Sequence, residues 1–113
     1  MNRVCLTGRL TRDPELRELS SGQDVVKVRI AVDNGRDREP TFVDVAQFGK
    51  GAAPVARHLS KGRYVEVDGR LNLNEWEAQD GTKRSRHEVI GSITFGRDRA
   101  RDADNGDDSE ADS

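Results

Sequence analysis

Short runs in which apolar and polar residues alternate recur along the first 96 residues of this 113-residue chain. The clearest run is residues 26–32, where valine and isoleucine alternate with Lys27, Arg29 and Ala31. Because successive side chains of a strand point to opposite faces, such a run predicts a strand with one buried face. Similar runs occupy residues 3–10, 41–49, 63–71, 71–77 and 83–89. A chain built from them is expected to form a small barrel or sandwich.

The residues between and within the runs indicate how the strands are joined. Gly8 and Gly69 interrupt the first and fourth runs, which predicts bends of the kind that small barrels need at their corners. Residues 54–62 carry a helical pattern, with Pro54 near its start and Gly62 at its end. The order strand-strand-strand-helix-strand-strand predicts an all-β OB-fold, a five-stranded barrel with one short helix between strands 3 and 4.

The composition divides the chain after residue 96. Residues 1–96 hold 16 Lys and Arg against 14 Asp and Glu, whereas residues 97–113 hold 3 against 7. The second segment has no apolar side chain larger than alanine, so it cannot bury enough surface to offset the entropy of ordering. We therefore predict a mildly basic OB-fold domain over residues 1–96 and a disordered acidic tail over residues 97–113.

Several classes of function are disfavoured by what the sequence lacks. The single Cys5 excludes an intramolecular disulfide and a cysteine-only metal cluster. The sequence shows neither an apolar run of roughly 20 residues nor a signal-peptide pattern, so we expect a cytoplasmic protein without a membrane segment. The spacing of His58 and His87 suggests neither a metal site nor a nucleophile–base pair, so we expect no catalysis.

Three of the five aromatic residues lie where a strand can display a ring on its surface. Phe42 and Phe48 are six residues apart in one run, so both rings point to the same face. Trp76 comes just before a polar turn, where an indole is difficult to bury. Rings on a strand surface stack on unpaired bases of any sequence. The alternatives are core packing for the two phenylalanines and a subunit contact or hairpin cap for the tryptophan.

Cationic residues in or beside the predicted strands are candidates for contacts with phosphates. Arginine supplies 12 of the 16 cations in residues 1–96, and its planar guanidinium suits both phosphates and rings. The candidates are Arg3, Lys27, Arg29, Lys50, Arg63, Arg70, Lys83, Arg84 and Arg86. Each one taken singly is also explained as a solvated surface residue. Rings and cations together predict sequence-tolerant binding of single-stranded nucleic acid, for which we take DNA as the first candidate. The alternative is an OB-fold module that binds protein or RNA, as a primosome component does.

The order of short motifs also resembles a known family, the bacterial single-stranded DNA-binding proteins. The matching stretches are residues 1–4, 7–17, 21–22, 42–45, 48–50, 55–56, 59–62, 65–71, 76 and 80–81. The resemblance implies an OB barrel that assembles as a homotetramer, with a dimer as the alternative. It implies binding of single-stranded DNA in replication, recombination or repair, without a catalytic site or cofactor. By position, it gives base-stacking roles to Phe42, Phe48 and Trp76.

The chain departs from the family pattern in three places. At Gly35 or Arg36 the family has a further stacking ring, which is missing here. Residues 72–75 lack the arginines and lysines that the family often has before its tryptophan. The sequence closes on Asp112 and Ser113 without the apolar pair of the family's acidic tip. We therefore expect weak or absent recruitment of repair and replication proteins through the tip.

Overall fold

The computed structural model describes residues 1–96, most of which form strands. Its elements are β1 (Val4–Leu10), β2 (Glu15–Glu18), β3 (Asp24–Val32), β4 (Thr41–Phe48), α1 (Ala52–His58), β5 (Tyr64–Glu77) and β6 (Lys83–Thr94). The tail that the sequence predicts to be disordered, residues 97–113, lies outside the described residues. Within residues 1–96, no helix has both the length and the apolar character needed to span a membrane.

Five long strands close into a barrel. β1 pairs with β5 through residues 4–9 and then with the end of β3 through residues 9–10. β3 pairs with β4, and β6 lies between β4 and β5, parallel to the first and antiparallel to the second. The short β2 adds to the beginning of β3. This strand order, with α1 between β4 and β5, confirms the predicted OB-fold.

The barrel interior is filled almost entirely by aliphatic side chains. The core consists of Leu10, Val26, Val28, Ile30, Val45, Ala52, Val55, Leu59, Val65, Val67, Val89 and Ile93. On β3 the buried residues alternate with the half-buried Lys27 and Arg29, as the period of two predicts. The helix contributes Ala52 and Val55, so its apolar side packs against the interior of the barrel. The opposite face of the sheet is thereby left for polar and aromatic residues.

Glycines stand where neighbouring strands approach most closely. At Gly8, a Cβ atom would lie 2.6 Å from the carbonyl oxygen of Ala31, at the point where β1 changes its partner from β5 to β3. Gly69 and Gly91 face each other across β5 and β6, and a Cβ on either would collide with the opposite backbone. The barrel therefore requires glycine at these positions because a side chain has no room, whatever its polarity.

Two local features differ from the sequence prediction. The helix ends at His58 rather than near Gly62, because Leu59 is already extended and the next residues turn into β5. β5 is one continuous strand, and its residues 72–77 pair only with residues 83–88 of β6 among the described residues. We call this projecting ribbon, residues 72–88, the hairpin arm. Leu71 is exposed because it lies where the arm leaves the barrel.

Candidate nucleic-acid interface

A cavity of about 320 Å³ opens on the outer surface of the barrel, between β2 and the hairpin arm. It is lined by Arg12, Glu15, Arg17, Lys27, Val28, Asp44, Val45, Asn74, Trp76, Arg86 and Glu88. We call this cavity the groove. Its lining holds four cations and three carboxylates beside one large aromatic ring. The groove therefore combines a ring face with a mildly positive balance of charge.

All three candidate rings are exposed on the outside of the barrel. Phe42 and Phe48 point outward from β4 with 52% and 40% of their surface exposed, while Val45 between them is buried in the core. Trp76 is 42% exposed on the hairpin arm, where it lines the groove. Core packing therefore does not explain these rings within one protomer. Their contact with bases stays a prediction.

Two of the rings carry an arginine across their faces. The Cζ atom of Arg29 lies 5.4 Å from the ring centre of Phe42, and that of Arg86 lies 5.8 Å from the ring centre of Trp76. These distances are typical of cation–π contacts. Strand register produces both pairs, because each arginine is a diagonal cross-strand neighbour of its ring.

One carboxylate joins the two arginines. Oδ1 of Asp44 accepts a hydrogen bond from Nη1 of Arg29 at 3.1 Å, and its Oδ2 lies 3.4 Å from Nη1 of Arg86. The Asp44 side chain is only 17% exposed, whereas the arginines are 39% and 58% exposed. A continuous series of contacts therefore runs from Phe42 on β4 to Trp76 on the hairpin arm. We call Arg29, Asp44 and Arg86 the Asp44 bridge.

Most of the other predicted phosphate contacts lie close to the rings in the fold. Lys27 lines the groove itself, and Lys50 is exposed in the turn that follows Phe48. Lys83 and Arg84 begin β6, where Arg84 pairs across the arm with Trp76. Arg84 also lies 3.7 Å from Asp80 in the turn of the arm. This group therefore adds exposed positive charge near Phe48 and Trp76.

Arg3 and Arg70 do not line the groove. Arg3 forms a bidentate salt bridge with Asp68 on the surface made by β1 and β5, and the shorter of its two hydrogen bonds joins Nη2 to Oδ2 at 2.8 Å. The hydrogen bond from Arg3 holds the pKa of the Asp68 carboxyl below its ordinary value. Arg70 is exposed and donates to the side-chain oxygen of Asn72 at 3.4 Å. Both arginines therefore have partners on their own surface.

Arg63 also lies outside the groove lining, and its contacts tie the end of the barrel together. Its guanidinium donates to the carbonyl oxygens of His58 and Gly96 and lies 5.7 Å from the ring centre of Phe95. The side chain is half-buried. These contacts connect the end of the helix to the two residues that follow β6, which is a structural role.

Sequence reasoning did not single out Arg12, Arg17 or Asp44, which are among the charged residues that line the groove. Arg17 lies on β2, whose register places it opposite Val25 and places Glu15 opposite Lys27, and Arg12 lies in the turn before this strand. The alternating residues 15–18 before a Ser-Gly turn were the available signal for this short strand. Asp44 gave no such signal, because its role depends on partners from two other strands.

Comparison with known proteins agrees with this geometry. The model of the single-strand binding protein family matches residues 1–95. The single-stranded DNA-binding protein of Wolinella succinogenes is 43% identical over 95 residues, covering 78% of this chain and 59% of the relative. That of Clostridium perfringens is 40% identical over 92 residues, covering 80% and 61%. Single-stranded DNA-binding protein 1 of Staphylococcus aureus is 43% identical over 101 residues, covering 84% and 65%.

The chain thus spans about three fifths of the length of these relatives. The matched region contains the whole barrel, the hairpin arm and every residue of the groove. The family model covers far more than half of the chain. This chain therefore belongs to the single-strand binding protein family.

Proposed function

We propose that this protein binds single-stranded DNA with little regard to sequence, in support of replication, recombination or repair. The observation that carries the proposal is the display of Phe42, Phe48 and Trp76 on the outer surface beside a groove with cationic residues. Stacking of a base on a ring contributes about 1–3 kcal/mol and accepts any base. This chemistry gives affinity for a strand without selecting its sequence.

Phosphate contacts complete the proposed site. We propose this role for Lys27, Arg29, Lys50, Lys83, Arg84 and Arg86, which lie in the groove or beside the rings. Arg3, Arg63 and Arg70 have protein partners outside the groove, so their contribution requires an exchange of partners. The predicted binding therefore depends more on the arm and on β3 and β4 than on β1.

Titration of the intrinsic fluorescence of Trp76, the only tryptophan, tests this function directly. We expect quenching by oligo-dT and little change with duplex DNA, because only unpaired bases offer a free face. If the six proposed cations each neutralise a phosphate, log K should fall with log salt at a slope of about −4. Equal binding of duplex and single strand would refute the proposal. Tighter binding of oligo-rU than of oligo-dT would favour the RNA-binding alternative, which stacking itself does not exclude.

We further propose that the chain assembles into a homotetramer, with a dimer as the alternative. Leu71 and Leu73 are 46% and 48% exposed. They adjoin each other on the face of β5 opposite to that of Trp76. Residues 4–8 of β1 pair with β5 along one edge, and within residues 1–96 their other edge has no strand partner. Exposed apolar pairs and open strand edges are both typical of subunit contacts.

Sedimentation of a double variant, Leu71→Glu with Leu73→Glu, tests the assembly. We expect the wild type to sediment with the mass of four protomers and the variant with a smaller mass, because charged side chains oppose apolar contact. Leu16→Glu is the matched control, since Leu16 is 45% exposed on β2 and lies neither on β5 nor in the groove lining. A wild-type monomer, or dissociation by the control variant as well, would contradict this interface.

A further inference from the structure

We propose that Asp44 takes the place of a nucleic-acid phosphate in the free protein. It would hold Arg29 against Phe42 and Arg86 against Trp76 until a bound nucleic acid displaces it. The inference rests on the proposed function and adds to it a residue that limits affinity. It starts from an apparent conflict, since the lining of a groove proposed to bind a polyanion includes a carboxylate held between two arginines.

The contacts of Asp44 are those that a phosphate would make. Its two oxygens are divided between two guanidinium groups, at 3.1 Å from Arg29 and 3.4 Å from Arg86. Arginine binds carboxylates and phosphates with the same planar arrangement of donors. Both arginines also keep a large exposed fraction, so a phosphate from solvent can reach them while Asp44 still holds them.

The other carboxylates of the groove are arranged differently. Glu15 pairs at 2.8 Å with Arg17, its neighbour on the exposed β2, and Glu88 accepts from Asn72 at 3.4 Å. Neither contacts an arginine that lies on a candidate stacking ring. Asp44 is also less exposed than either arginine that it contacts, so its carboxylate has little room to swing out into solvent. A phosphate of the bound nucleic acid must therefore compete with Asp44 for the two arginines.

The arginines connect this competition to stacking. Because Arg29 lies across Phe42 and Arg86 across Trp76, each guanidinium occupies a ring face that a base needs. Transfer of an arginine from Asp44 to a phosphate frees that face in the same movement. Stacking and phosphate contact therefore occur together, and both are opposed by the attraction of Asp44 for its arginines.

Removal of the Asp44 charge tests the inference, with Asp68→Asn as a matched control. Asp68 is also an outer-surface carboxylate paired with an arginine, but it lies outside the groove. We expect Asp44→Asn to bind oligo-dT roughly fivefold more tightly than the wild type, since one or two partly exposed ion pairs no longer have to be broken. Its salt slope should steepen by about 0.7, the value for one more net positive charge at the strand.

Asp68→Asn should change both quantities much less. A second readout is quenching of Trp76 by neutral acrylamide without DNA, which should increase in Asp44→Asn as Arg86 leaves the ring. Asp44→Ala should give the same directions as Asp44→Asn, and thermal melting should show that each variant is folded.

Several outcomes would overturn the inference. Weaker binding by Asp44→Asn would mean that Asp44 aligns the arginines productively, and equal gains in Asp44→Asn and Asp68→Asn would reduce the effect to net charge. Unchanged affinity would show that Asp44 does not compete with phosphate. In each case the wild type still binds oligo-dT, so the proposed function stands. Failure of the wild type to bind would instead remove both proposals.

Discussion

Replacing Trp76 by alanine is expected to weaken the binding of oligo-dT by roughly tenfold to one-hundredfold. The reason is that one stacked base contributes about 1–3 kcal/mol, and each 1.4 kcal/mol is a factor of ten in affinity. The ring is 42% exposed and outside the core, so its removal should cost little stability. Because the variant has no tryptophan, binding is measured by the anisotropy of a labelled oligonucleotide.

The conservative variant Trp76→Phe separates stacking from other roles of the indole. It keeps a flat ring on the arm, so we expect its affinity to lie close to that of the wild type. Equal losses in the phenylalanine and alanine variants would argue against stacking. If Trp76→Ala binds normally but sediments with fewer protomers, the tryptophan is a subunit contact, which was the alternative from its position in the sequence.

Replacing Gly69 by alanine is expected to destabilise the barrel by about 3 kcal/mol, at the upper end of overpacking effects. The added Cβ would collide with the carbonyl group of Ile90 and with the backbone of Gly91, and two paired strands would have to separate. With a typical urea dependence, the unfolding midpoint should fall by roughly 1–2 M.

Gly96→Ala is the control for this variant, because a Cβ at Gly96 meets no atom within 4 Å among the described residues. Its unfolding midpoint should match that of the wild type. A similar midpoint for Gly69→Ala would show that β5 and β6 can shift apart at little cost.

Much of the fold could be predicted because the barrel depends on simple periodicity. Alternation on β3 fixes which side chains enter the core, and Gly69 marks the close approach to β6. The helix end and the continuity of β5 were missed because they depend on how the chain returns to the sheet. Gly62 looks like a helix terminator and does take a positive φ of 90°. It lies in the turn before β5, however, whereas the helix already ends at His58.

The site was predictable only in part, for a related reason. The positions of Phe42 and Phe48 on one face follow from their separation of six residues, and both rings are exposed. The partners of charged residues follow from register instead. From the sequence, Arg63 has the character of a surface cation, but it donates to main-chain oxygens in the fold. Asp44 likewise has the character of a solvated acid, but it contacts two arginines.

The hairpin arm and β4 should respond differently to a bound base. Phe42 and Phe48 belong to β4, which is held by strands on both sides, whereas Trp76 belongs to a ribbon without lateral support in the described chain. Isolated two-stranded ribbons are only marginally stable, so the hairpin arm should deform more easily than β4. The arm, rather than β4, should therefore adjust when bases of different size are bound.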